Sequence, residues 1–100
     1  MAAGLSFESG LLAALCRRHH VRRLSVFGST LKGTARSDSD VDVLVEFETG
    51  KEPGLLRLAA IEQELSALLG GRPVDLRTPE DLSKEFRSEV MTTAEVQYAA

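Results

Sequence analysis

The sequence predicts an α/β fold: a small mixed sheet of about three strands with helices packed on it, in the order αβαβαβα. Two patterns carry that expectation. The segment DVDVLVEF, residues 40–47, alternates in step with a strand, and Leu58, Ile61, Leu65, Leu68 and Leu69 recur at helical spacing. The short run PVDLR at 73–77 then follows the helix as a further strand, so that strands and helices alternate along the chain. With 100 residues, 43% of them hydrophobic, the chain supports one core and is too short for two, so 1–100 is expected to be a single domain.

The elements follow in order. Between Phe7 and Arg18 the apolar positions Leu11, Leu12, Leu15 and Cys16 share a helical face, with Ser6 or Ser9 as N-cap. VRRLSVF, from Val21 to Phe27, reads as a strand through Val21, Leu24 and Val26, and Gly28-Ser29 ends it. Thr30 to Ser39 is small, polar and Gly-containing, with room for one short helical turn and a loop. In the strand from Asp40 to Phe47, Val41, Val43, Val45 and Phe47 take one face. Thr49 to Gly54 reads as a connection, and Gly70-Gly71 terminates the long helix. Thr78-Pro79-Glu80-Asp81 has the signature of a helix start, with Thr78 as N-cap, and a last helix is expected from Leu82 to about Tyr98.

Composition narrows the function. Twelve basic and fifteen acidic residues leave a formal charge of -3, which argues against nucleic acid as the primary partner. The basic run from Arg17 to Arg23 reads as a solvated helix end. The lone Cys16 cannot form an internal disulfide, and Glu8 early with arginines late is the reverse of a signal peptide, so a cytoplasmic protein is expected. No apolar run approaches the roughly 20 residues a membrane span needs.

The chemistry concentrates between Phe27 and Val45. On a strand, Asp40 and Asp42 point to one face with Cα atoms roughly 6.5–7 Å apart. Two carboxylates there repel unless a cation or a hydrogen-bonding network offsets them. Hard oxygen donors without His or Cys nearby favour Mg2+, which takes one or two carboxylates plus waters and substrate phosphates, and a nucleoside triphosphate fits that description. Gly28 permits a sharp exit from the strand, and Ser29 follows with a hydroxyl and backbone N–H groups suited to phosphate oxygens. Asp75, between Val74 and Leu76, faces away from the core as Asp42 does; if their strands are neighbours, the acids converge. A salt bridge to Arg77 or Arg36 would also explain an acid at this position.

Other readings fail on spacing. Asp38, Asp40 and Asp42 resemble the start of an EF-hand loop, which would need Gly at Val43 and Glu at Thr49. Gly28 to Gly33 mimics a P-loop, yet Thr34-Ala35 stands where Lys-Ser/Thr is required. His19 and His20 have no acid near them in sequence and receive no catalytic role. Tyr98 is expected to pack as a helix aromatic.

FGSTLKGTARSDSDVDVLVEF resembles the Gly-Ser, ten-residue spacer, Asp-x-Asp signature of the DNA polymerase beta-like nucleotidyltransferase superfamily, and the short chain resembles its minimal nucleotidyltransferase branch. The resemblance implies the nucleotidyltransferase fold. It also implies that Gly28 and Ser29 hold the triphosphate and that Asp40 and Asp42, completed by Asp75, form the catalytic acids and bind two Mg2+ ions. The pattern departs at Thr30-Leu31-Lys32, where relatives often carry Ala-Arg before the next glycine; Lys32 keeps the charge and joins the nucleotide-binding set. Members of this branch resemble the antitoxin half of pairs with an all-helical HEPN-type toxin, which implies AMP transfer from ATP, or from another NTP, to a tyrosine of that partner.

With no second domain expected, the acceptor surface would come from another protein or a second copy, as a homo- or hetero-oligomer. Asp75 would accept the nucleophile's proton, or the metal alone would lower its pKa. Two alternatives stand beside this reading: an antitoxin acting by binding without catalysis, and a nucleotidyltransferase acting on a small molecule or an RNA end.

Overall fold

The computed structural model describes residues 7–28 and 40–100. Helix α1 (Ser9–Arg18) leads into strand β1 (Val21–Phe27); β2 (Val41–Phe47), α2 (Leu55–Leu68) and β3 (Val74–Arg77) follow. After a 3-10 turn at Pro79–Asp81 come α3 (Lys84–Thr93) and β4 (Glu95–Ala99). The sheet runs β3-β2-β1-β4. Strand β1 is antiparallel to both its neighbours, and β2 pairs with β3 in parallel.

Alternation along β2 works as the pattern predicts. Val41, Val43 and Val45 are fully buried beneath α1 and α2, where Leu12, Leu15, Cys16, Ile61 and Leu65 meet them. Removing that apolar area from water is the main force holding the layers together. Leu44 and Phe27 turn to the opposite face and form a second, smaller core with Leu82 and Val90. One face of the sheet thus carries the larger core and the other the smaller one, and Asp42, on the second face, stays half-buried.

The ends of elements follow local chemistry. Glu8, not Ser6 or Ser9, caps α1: its carboxylate accepts from the Leu11 N–H at 2.7 Å. Ser9 already lies inside the helix, and Ser6 is outside the described residues. Leu11, expected on the buried face, is 57% exposed. The long helix stops where Gly70 and Gly71 adopt positive φ, and the Gly71 N–H donates back to the Ser66 carbonyl at 2.8 Å.

The expected last helix is instead three elements. Thr78 caps a single 3-10 turn, with its N–H and hydroxyl both 3.1 Å from Asp81 Oδ2. Leu82 then takes an extended backbone and drops into the second core. Ser83 recaps the chain as α3, its hydroxyl accepting from the Phe86 N–H. At Ala94 the backbone extends again, and Glu95–Ala99 pairs with the edge of β1 that β2 leaves open. Among the described residues the sheet therefore has four strands rather than three. A register shift between Leu24 and Ser25 turns Tyr98 toward the helix-covered core, so the tyrosine packs from a strand and not from a helix. The turn expected between Thr30 and Ser39 lies outside the described residues.

Among the described residues, no helix is long and apolar enough to cross a membrane. Cys16 is free and buried, and burial pushes its thiol up to about 12.

Candidate active site

The site is built where β1 ends, β2 begins and β3 runs alongside. Phe27 closes β1, and Gly28 leaves the strand in a turn with φ +76°. That left-handed backbone suits glycine, and so does the space: a Cβ at residue 28 would stand 2.5 Å from Asp42 Oδ2. The missing side chain lets the Asp42 carboxylate lie against the turn.

Asp42 is opposite Phe27 on one side and opposite Asp75 on the other. Directly paired neighbours on adjacent strands are about 4.8 Å apart, so the two acids share one patch of the second face. The Val41 N–H donates to the Pro73 carbonyl at 2.9 Å and begins the β2–β3 pairing. On the outer side of β3, Glu62 of α2 accepts from the Leu76 N–H at 2.9 Å. Asp75 is thus held in register by a bond on each side of its strand. Asp40 lies just before β2 and is exposed.

The charges in this patch oppose one another. Burial raises the Asp42 carboxyl above its ordinary value of 3.8; Asp75 and, more weakly, Asp40 add to the rise, while Arg77 acts against it. Arg77 grips Asp75 at two points, Nε to Oδ1 at 3.1 Å and Nη2 to Oδ2 at 3.2 Å. The arginine ion pair foreseen for Asp75 therefore forms, and it forms with Arg77. With Asp75 turned to the guanidinium, no group of three Asp, Glu, His or Cys side chains among the described residues is arranged to hold a metal ion. Ser29 and Lys32 lie outside the described residues.

Other titratable groups stand apart from this patch. His19 Nε2 is 3.1 Å from Glu64 Oε2, and Arg18 is 2.9 Å from the other oxygen, so α1 is tied to α2. His20 faces Glu48 at 3.8 Å. A register shift after Val21 brings both Arg22 and Arg23 onto Glu46 at 2.9 Å. Much of the basic run is therefore matched by acids distant in sequence, and Arg22 and Arg23 belong to a strand, not to a helix end. A concavity of about 640 Å³ opens at the far end of β2, lined by Phe47, Pro53, Leu55, Leu58 and Pro79 among others, and none of the three acids lines it.

Spacing along the chain had singled out Gly28, Asp40, Asp42 and Asp75; it did not reveal Glu62. That carboxylate sits beside Ile61 on a helix whose exposed face is rich in polar groups, and its contact with Leu76 spans 14 residues.

The sequence profile of the nucleotidyltransferase domain matches residues 8–96. The chain belongs to that family. This nucleotidyltransferase is 44% identical over 77 residues to the protein adenylyltransferase MntA of Thermococcus cleftensis, a match covering 77% of this chain and 75% of that protein. It is 35% identical over 77 residues to a Methanocaldococcus jannaschii protein provisionally named a protein adenylyltransferase, covering 77% and 80%. A solved structure provisionally described as a minimal nucleotidyltransferase is 42% identical and superimposes with a TM-score of 0.69, over 85% of this chain and 83% of that one. The crystal structure of a toxin–antitoxin with AMP-PNP gives a TM-score of 0.71 at 21% identity, over 93% and 74%, a likeness of fold.

Proposed function

We propose that this nucleotidyltransferase is Mg2+-dependent and transfers AMP from ATP to a hydroxyl of a partner protein, an all-helical HEPN-type toxin, and so acts as its antitoxin. The observation that carries the reading is the register of Asp42 against Asp75 beside the Gly28 turn. Its support from likeness is the relative 44% identical and named a protein adenylyltransferase.

Asp40, Asp42 and Asp75 offer hard carboxylate oxygens, the donor chemistry Mg2+ prefers. A carboxyl crowded by like charge, as Asp42 is, gains from a divalent cation beside it. Held by these carboxylates, Mg2+ would supply neutralisation of the triphosphate's charge and would lower the pKa of the acceptor hydroxyl. Gly28 turns the chain out of β1, and Ser29 and Lys32 hold the triphosphate through a hydroxyl and an ammonium. Asp75 takes the proton of the acceptor hydroxyl as its oxygen bonds to the α-phosphorus; the bond to the β-phosphate breaks in line and pyrophosphate leaves.

The test is incubation of the purified protein with the product of its neighbouring gene, α-³²P-labelled ATP and Mg2+, beside an Asp40→Asn/Asp42→Asn variant. Label on the neighbour with the unmodified protein alone is the expected result. No transfer, with tight complex formation by both forms, would sink catalysis in favour of neutralisation by binding.

A further inference from the structure

Arg77 occupies an unusual position in this site. It shares a face of β3 with Asp75, and its Cα partner on β2 is Leu44, two residues beyond Asp42. Among the described residues it is the one cation whose charge acts on Asp42, and it holds both oxygens of Asp75. The pair stands at the surface, the arginine side chain 47% exposed and the aspartate 34%. An exposed pair of this kind is weak and exchanges partners readily.

Two consequences follow from the chemistry of the fork. While the guanidinium holds both oxygens of Asp75 it competes with a metal for that carboxylate, and its fixed positive charge opposes an arriving cation. A phosphate offers the guanidinium the same two-point grip as a carboxylate. We propose that Arg77 is a positioning residue that changes partners: it restrains Asp75 until a nucleotide phosphate takes its guanidinium, and Asp75 is thereby released toward Asp42 and Asp40. The inference rests on the metal and nucleotide reading above and adds an order to it. The cation alone binds poorly, and cation and nucleotide bind in concert, each raising the affinity for the other.

The probes are Mn2+ alone, followed by electron paramagnetic resonance, and AMP-PNP with Mg2+, followed by calorimetry, on the unmodified chain and on Arg77→Gln, Asp75→Asn and the double variant. Arg77→Gln is expected to bind Mn2+ alone about three- to tenfold more tightly and Mg–AMP-PNP about fivefold more weakly, changes typical of adding or removing one charged contact. In the Asp75→Asn background most of the gain in Mn2+ affinity should vanish, because there is no carboxylate left to release. An Mn2+ affinity unchanged or weakened by Arg77→Gln, or a gain undiminished in the double variant, would overturn the proposal. So would a lowered melting temperature with both affinities unmoved, which would make the pair purely structural. Absence of Mn2+ binding in every form, the unmodified chain included, would overturn the metal site itself.

Discussion

A single methyl group at residue 28 would strike a carboxylate. Gly28→Ala forces a side chain into a left-handed backbone, at about 1–2 kcal/mol, and pushes Asp42 off the turn. Misplacement by an ångström can lower a rate on the order of 100-fold; label transfer by this variant should fall by about that factor while circular dichroism still reports a folded protein. Asp42 carries a second prediction. Its folded pKa is raised, so its contribution to stability is present below 3.8 and lost as pH rises through the folded value; ionised at neutral pH, it costs stability. In EDTA at pH 7, Asp42→Asn should melt higher than the unmodified chain, by roughly a few degrees, and the difference should close as pH falls below 3.8. Much of this patch was legible residue by residue: alternation puts Asp42 and Asp75 on the polar side of their strands. The Arg77 pairing was half legible: the spacing offers Arg36 as well, and Arg36 lies outside the described residues.

At the level of elements, periodicity was a good guide wherever one face is buried. β1, β2 and α2 have apolar spacing that tertiary packing reinforces. The stretch from Leu82 to Tyr98 has no such guide. Its one buried helical residue is Val90, and the strand character of Glu95–Ala99 comes from the open edge of β1, a feature of the assembled sheet and not of that segment. Glu62 is hidden for a related reason, since a helix acid that caps a strand looks the same in sequence as one facing water. Glu62→Gln should weaken the bond to the Leu76 N–H, a charge-assisted bond worth about 1.5 kcal/mol. Hydrogen exchange at Leu76 and its β3 neighbours should accelerate while the amides of β1 stay protected.

At the scale of the molecule, several ion pairs among the described residues join acids and bases far apart in the chain. Glu64 joins α1 to α2 through Arg18 and His19; burial pushes its carboxyl up, but those hydrogen bonds and charges outweigh it and leave the pKa below 4.5. A depressed carboxylate contributes stability above its unfolded value and loses it as pH falls through the folded one. Glu64→Gln should therefore flatten the decline in melting temperature below about pH 4.5, the opposite sense to Asp42→Asn. The layered α/β architecture and the family were legible from spacing and from the Phe27–Val45 segment. The fourth strand and the pairing of Glu46 and Glu64 with the basic run were not, because each joins residues far apart in the chain.

The order of strands also sets a timetable. β1 is finished at residue 27, yet the strand that covers its second edge begins at residue 95. During synthesis that edge waits until residue 95 has emerged, and in refolding its closure is the most non-local event in the sheet, which makes it the natural slow step. Until β4 arrives, β1 is a bare template on which another copy can lay its own strand. Strand β4, whose half-buried Tyr98 is its hold on the larger core, thus stands between a closed sheet edge and one open to aggregation.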